Sequence, residues 1–118
     1  MLAMKYYDSA GRTAYLAGFH AAQALISEKT GRAMKTHSGV NAELHRLTKD
    51  DRRVEPEQRT FLGRTYNLKS IADYETGPSA EVSSEQAAEA VRTSKRFVAK
   101  MIELVETPRL PQTDPKLN

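Results

Sequence analysis

The chain has 118 residues, and its 18 basic against 15 acidic side chains give a formal net charge of +3. This length supports one domain with a modest core, and the mild positive charge is compatible with an RNA partner without indicating a basic binding arm. The sequence contains no cysteine, which excludes disulfides and thiolate metal sites. No run of about 18 apolar residues indicates a membrane span, and the N-terminus lacks the long apolar core of a secretory signal, so we expect a cytoplasmic protein.

The first predicted helix has apolar residues at three- and four-residue spacing, which is typical of an amphipathic helix. Asp8 or Ser9 can cap its start, we expect it to run to about Lys29, and Gly31 stands where helices commonly end. Its apolar face is rich in small residues, which let a second helix approach closely. We therefore predict a central helix packed on more than one side, with a buried face that consists of Tyr15, Gly18, Phe19, Ala22, Leu25 and Ile26.

Two further helices are predicted after this one, with a charged segment between them. Thr36 or Ser38 can cap the second helix at the end of a connector over residues 32–38. The charged run 49–53 predicts a solvated loop, and Pro56 suits the first turn of the third helix because its missing amide costs nothing there. The expected apolar stripe of the second helix consists of Val40, Leu44 and Leu47. The expected buried face of the third consists of Phe61, Leu62, Thr65, Leu68 and Ala72.

A capping box marks the start of a fourth helix. The pair Gly77-Pro78 is expected to end the third helix, and Gln86 is placed to reach back to Ser83. Pro108 is expected to end the fourth helix. Its predicted apolar face consists of Ala87, Val91, Ser94, Phe97, Val98, Met101, Leu104 and Val105.

These elements predict an all-α fold. The expected architecture is an up-and-down bundle of about four helices in one domain over residues 1–107. Three prolines and few apolar residues in the segment 108–118 predict a flexible tail.

Four segments, in order along the chain, resemble small prokaryotic HEPN-domain proteins. Residues 12–25 (RTAYLAGFHAAQAL) resemble the family helix RAYYAMFHAARALL, and residues 35–40 (KTHSGV) match the connector PKTHSGV. Residues 68–74 (LKSIADY) resemble the segment LRxxADY, and residues 83–91 (SSEQAAEAV) match the start of the last helix. The resemblance covers about residues 6–105 and implies an all-helical bundle that dimerises.

The resemblance also implies work with RNA or with a partner protein. Members are frequently coupled to a small nucleotidyltransferase in toxin–antitoxin or defence pairs, and many are metal-independent RNases. Their signature is an arginine followed, after four to six residues, by a histidine on one helix, and other members lack these residues and serve as binding or assembly modules. In this chain Lys69 aligns with the arginine of LRxxADY, and Tyr74 stands where the catalytic subset has histidine. The resemblance therefore implies a degraded RNase signature.

The start of the chain bears on assembly. Relatives usually carry a full helix before the helix that residues 12–25 resemble, whereas only about seven residues precede Asp8. One side of the predicted central helix would then be bare unless another chain covered it. This favours a homodimer that buries parts of residues 12–26 and of the fourth helix.

RNA cleavage without a metal needs a base, an acid and a cation that stabilises the phosphorane charge. Arg12 and His20 are eight residues apart, about 12 Å along a helix and about 80° around it, so a joint role requires two chains. Alternatively, His20 is a core histidine and Arg12 is a helix-start residue paired with an acid. His37 either takes part in catalysis or helps to fix the turn into the second helix, in a connector and not on a helix. The candidate catalytic residues are Arg12, His20, His37 and Lys69.

Asp73 and Tyr74 are candidate binding residues. Lys69 and Asp73 lie four residues apart, which also fits a surface ion pair, and Tyr74 can equally be a packing residue at the helix end. With an ordinary pKa of about 10, tyrosine is a poor base at neutral pH. The three separated histidines form no metal-ligand pattern and no glycine-rich phosphate loop appears, so we expect neither metal nor cofactor.

The sequence thus predicts a dimeric helical protein that acts as a binding or toxin–antitoxin component on or with RNA. One alternative is a metal-independent endoribonuclease. Another is a structural partner of a small nucleotidyltransferase, which differs from the first prediction in that no RNA binds.

Overall fold

The structure is a computed structural model that describes residues 2–74 and 82–107, with side chains described for residues 5–71 and 82–107. Its helices are α1 (Leu2–Thr30), α2 (His37–Thr48), α3 (Pro56–Tyr74) and α4 (Ser84–Glu106). The central helix is α1, which packs against the other three, and α3 also packs against α4. The predicted all-α bundle is confirmed. Within these ranges, no helix combines the length and apolar character needed to cross a membrane.

The first helix begins earlier than its predicted caps. Because α1 includes Leu2, both Asp8 and Ser9 lie inside the helix. Asp8 instead accepts a hydrogen bond from the backbone amide of Val82 at 3.4 Å, which connects α1 to the segment that leads into α4. Arg12 consequently lies inside α1, and its interpretation as a helix-start residue is wrong.

The other helix ends follow their sequence signals. Gly31, just after α1, has a φ of +71°, a conformation that glycine adopts without steric cost. The hydroxyl of Thr36 accepts the amide of Gly39 at 3.0 Å and so caps α2. Ser83 and Gln86 form the predicted capping box of α4. The expected stops at Gly77-Pro78 and Pro108, and the tail over residues 108–118, lie outside the described residues.

The core contains the whole predicted face of α1 and most of the faces predicted for the other helices. On α2 and α3 the predicted face extends too far: Leu47 and Leu68 are half-buried, and the side chain of Ala72 lies outside the described residues. On α4 the prediction for Val91 is wrong, since this side chain is 37% exposed. The apolar core side chains are Tyr15, Phe19, Ala22, Leu25, Ile26, Val40, Leu44, Val54, Phe61, Leu62, Phe97, Met101 and Leu104.

A close approach to α1 occurs at Gly18. A Cβ placed on Gly18 would overlap the ring of Phe61 on α3. That ring is fully buried and stacks on Phe97 of α4, with centroids 4.7 Å apart and planes 19° apart. Because Gly18 has no side chain, the stacked pair Phe61 and Phe97 can pack directly against α1 and so join three helices. The small-residue face of α1 predicted such a close approach of a second helix.

The charged loop after α2 is only partly the solvated segment that its composition predicts: Lys49, Asp50 and Arg52 are exposed, but the other two members turn inward. Asp51 is buried, and its carboxylate accepts hydrogen bonds from Arg53 Nε at 3.0 Å and from the terminal nitrogen Nη2 at 2.8 Å. Arg53 also donates to the carbonyl of Thr107. Arg59 donates to the carbonyls of Thr48 and Asp51 at 2.8 and 3.0 Å. These bonds tie the loop to the end of α2, to α3 and to the end of α4.

Candidate functional site

His37 lies at the centre of a group of aromatic side chains that three helices bring together. The hydroxyl of Tyr15 on α1 is 2.8 Å from Nδ1 of His37. The ring of Tyr66 on α3 stacks on the imidazole, with centroids 3.9 Å apart and planes 14° apart. Phe19 packs edge-on against Tyr15 at 5.7 Å. We call Tyr15, His37 and Tyr66 the aromatic cluster.

The position of His37 follows from local sequence signals. Thr36 caps α2, which makes His37 the first residue of this helix. Gln23 of α1 donates its side-chain amide to the carbonyl of Met34 at 2.9 Å and so holds the preceding connector against α1. His37 therefore lies on α2 and not in the connector, which corrects the prediction. Through Tyr15 it also joins the start of α2 to α1.

Burial changes the acid–base properties of the aromatic cluster. It lowers the pKa of His37 below the ordinary 6.5. Burial, followed by the electrostatic effect of Tyr66, raises the pKa of Tyr15 to about 12. The positive end of the α2 dipole further disfavours a protonated imidazole at the first helical position. At neutral pH His37 is thus uncharged and Tyr15 keeps its proton, so the tyrosine hydroxyl can donate to Nδ1 and leave the ring proton on Nε2.

Two cationic side chains lie about one helical turn from the aromatic cluster. The helices α1 and α3 run antiparallel, and a Cβ on Gly11 would lie 3.5 Å from Cβ of Leu68. Arg12 and Lys69 directly follow these two residues, so they lie at the same level of the helix pair, and both are half-buried. Each is also three residues from a tyrosine of the cluster, a spacing that keeps them on neighbouring parts of the surface. Three predicted catalytic residues, Arg12, His37 and Lys69, therefore share one region.

His20 has a different setting. It is exposed on α1, and its Nδ1 lies 2.9 Å from Oε1 of Gln23. The neighbouring Phe19 takes the inward position, so the interpretation of His20 as a core histidine is wrong. Through Gln23 it lies beside the connector, and its ring centroid is 6.1 Å from that of Phe19.

The candidate binding residues Asp73 and Tyr74 belong to the last turn of α3, but their side chains lie outside the described residues. Whether Lys69 pairs with Asp73 therefore stays a prediction. In the described part of the chain, no group of three or more histidine, aspartate or glutamate side chains is placed to hold a metal ion.

Sequence reasoning missed the two tyrosines as partners of His37. The sequence predicts Tyr15 in the core, where it is indeed buried, but the hydrogen bond of its hydroxyl spans 22 positions of the sequence. Tyr66 lies off the apolar face of α3 and is 38% exposed. An aromatic residue next to a helix's apolar face was the available signal, but nothing in the sequence linked it to a histidine.

A second surface lies on the opposite side of α1. On α1, alanines recur at alternating steps of four and three residues. A stripe of mostly β-branched residues with the same kind of spacing lies on the side of α4 next to these alanines. Members near the two ends of this stripe line two apolar grooves between the helices. Arg12 lies about 120–180° around α1 from these alanines. We call this surface the α1–α4 face; apart from Ala14, which is buried, it consists of Ala10, Ala17, Ala21 and Ala24 with Ala88, Val91, Lys95, Val98, Ile102 and Val105.

Comparison with known families identifies a matching domain family. The sequence model of the HEPN domain matches residues 1–105, a span that includes α1, α2, α3 and nearly all of α4. No curated protein and no solved structure matches the chain.

Proposed function

Since the chain belongs to the HEPN domain family, we propose that it is a dimeric binding component that acts on or with RNA in a cytoplasmic toxin–antitoxin or related pair. The observation that carries this proposal is the aromatic cluster with Arg12 and Lys69 one helical turn away. Exposed aromatic rings stack on unpaired bases, and neighbouring cations contact the phosphates. Tyr66 is partly exposed and stacks on His37 through one face of its ring, so it offers such a stacking surface.

The arrangement favours binding over cleavage. Lys69 can hold a phosphate as a point charge but lacks the two-pronged geometry of the signature arginine. Tyr74 replaces the histidine that would move a proton near neutral pH. His37 is already engaged by the Tyr15 hydroxyl and by the ring of Tyr66. A strong cleavage site would need a second proton-transfer group, and His20 pairs with Gln23 rather than with a member of the aromatic cluster.

The second candidate is a metal-independent endoribonuclease, and the lowered pKa of His37 favours it. An uncharged imidazole is the form that accepts a proton from a 2′-hydroxyl. Arg12 and Lys69 would then stabilise the phosphorane charge. A third candidate is a structural partner of a small nucleotidyltransferase, which would bind no RNA through the aromatic cluster.

Tyr66→Ala is expected to weaken binding of a fluorescent single-stranded oligouridine by about tenfold or more, because stacking of one base contributes about 1–3 kcal/mol. Fluorescence anisotropy at two salt concentrations measures the effect, and the affinity should fall as salt rises. Lys69→Ala should weaken binding and also reduce this salt dependence, because it removes one phosphate contact.

Matched controls separate this site from general effects. Tyr6→Ala removes an exposed tyrosine elsewhere on α1. Lys49→Ala removes the same charge as Lys69→Ala, about 18 Å along the α2 direction from His37. Equal losses in test and control variants would contradict the proposed site. A wild-type protein that binds no RNA would favour the structural-partner candidate.

We propose that the homodimer forms through the α1–α4 face. Alternating steps of three and four residues are the spacing by which helices of two chains interlock. Ile102, at 50% exposure, and Val91 leave apolar surface in this stripe. Such a dimer would carry the two aromatic clusters on its outer sides. Each cluster would then act alone, and Arg12 of one copy would not meet His20 of the other.

Ile102→Glu is expected to convert the dimer to a monomer at micromolar concentration, because it places a charge within the apolar stripe. Sedimentation velocity measures the change. Ala42→Glu is the matched control, since this residue is exposed on α2, outside the α1–α4 face. A monomeric wild type, or dissociation by the control variant as well, would overturn the proposed interface.

A further inference from the structure

A cavity of about 340 Å³ lies between α2, the first turn of α3 and the middle of α4. Its volume is at the small end of the ~300–1,000 Å³ typical of ligand pockets. It lies beside the C-terminal half of α2, whereas His37 of the aromatic cluster is the first residue of that helix. Its apolar lining consists of Ala42, Leu44, Val54, Phe97 and Met101.

Gln58 supplies this cavity with a fixed hydrogen-bond donor. The residue is 4% exposed, and its Oε1 accepts the backbone amide of Glu55 at 2.9 Å at the start of α3. This bond fixes which end of the side-chain amide is oxygen, because only the oxygen can accept. Within the described part of the chain, the Gln58 side chain makes this hydrogen bond through its oxygen and none through Nε2, and the residue lines the cavity. A donor in this state can bond an acceptor that enters the cavity.

The charges that line the cavity favour an anionic over a cationic ligand. Arg59 lines it and is held in place by the carbonyls of Thr48 and Asp51. His45 and Asn41, one turn apart on α2, supply further polar groups at the rim. None of the described lining residues is acidic. The first turn of α3, with its partial positive charge, borders the same space.

We propose that this cavity binds a small organic anion with an aromatic body, such as an aromatic carboxylate. One carboxylate oxygen accepts from Nε2 of Gln58, and the negative charge faces Arg59 and the start of α3. The aromatic body lies on the apolar lining, where the thioether of Met101 provides a favourable contact for a ring. The site is independent of the RNA-binding function proposed for the aromatic cluster.

The test uses the full-length ¹⁵N-labelled protein and benzoate as the probe. Heteronuclear NMR is expected to show saturable shifts of the Gln58 side-chain NH₂ signals, with a Kd of about 1 mM or tighter. Benzylammonium, which has the same ring and the opposite charge, is expected to give no saturable shift. Gln58→Glu keeps an oxygen for the Glu55 amide but replaces the donor with a second acceptor, and it should weaken benzoate binding at least tenfold.

A second variant tests the location of the site. Ala42→Trp places a large side chain at an exposed lining position and should abolish the benzoate shifts, whereas Ala99→Trp on the far side of α4 should leave them unchanged. Absence of saturable Gln58 shifts with the wild type would overturn the proposal. Equal binding of benzylammonium, or equal loss in the Ala99→Trp control, would overturn it as well.

Discussion

Gly18→Ala is expected to destabilise the fold by about 1–3 kcal/mol, the usual cost of overpacking a well-packed core, although alanine is the better helix former. The added Cβ would overlap the Phe61 ring. That ring cannot move aside easily, because it is fully buried and stacked on Phe97. Chemical denaturation followed by circular dichroism measures the change in the free energy of unfolding.

Gly63→Ala is the matched control, and it is expected to change stability in the opposite direction. Gly63 lies inside α3, and a Cβ placed there meets no atom within 4 Å. The substitution should therefore stabilise the helix by about 0.5–1 kcal/mol, the ordinary advantage of alanine over glycine. If both variants changed the free energy of unfolding in the same direction, the close contact at Gly18 would not be the cause of the effect of Gly18→Ala.

A double variant isolates the contact itself. Phe61→Leu removes the edge of the ring that an added Cβ would overlap. Combined with Gly18→Ala, it should cost less than the sum of the two single changes, because the overlap that makes one of them costly is gone. Strict additivity would mean that Gly18→Ala acts through some other neighbour.

Most of the fold could be predicted because its determinants are local. The apolar spacing on α1 specified its buried face, and Thr36 and Ser83 marked helix starts through caps that reach only three residues ahead. The early start of α1 was missed because aspartate is a common helix cap. Asp8 instead accepts a hydrogen bond from the backbone amide of Val82, 74 residues away.

The candidate site was predictable only in part, because its contacts are distant in sequence. Its cations were singled out by their chemistry, but the stacking of Tyr66 on His37 depends on how α2 and α3 pack against α1. The burial of Asp51 was missed for the same reason, since a run of charges does not reveal which member turns inward to an arginine. Val91 has the correct helical spacing but faces away from the core of the single chain.

The cleavage chemistry gives the other large expected effect. Lys69→Arg combined with Tyr74→His restores the family signature, and it should raise RNA cleavage in EDTA by about 10²-fold or more over a very slow wild type. A positioned general acid or base typically contributes about 10²–10⁴-fold. The assay follows degradation of a labelled RNA by purified protein. Each single substitution serves as a control, because neither alone restores both the phosphate contact and the proton-transfer group.

The pH dependence identifies the group that moves the proton. A base acts in its unprotonated form, so cleavage should rise as pH passes upward through its pKa. Burial lowers the pKa of His37. If His37 were the base, the rise of the cleavage rate would therefore be centred below the ordinary histidine pKa of 6.5. A histidine introduced at position 74 with an ordinary pKa would centre the rise near about pH 6.5, and this rise should persist when His37→Gln is added. Fast cleavage by the wild-type protein that survives His20→Ala and His37→Ala together would contradict the binding-component proposal, because proton transfer would then not depend on either histidine.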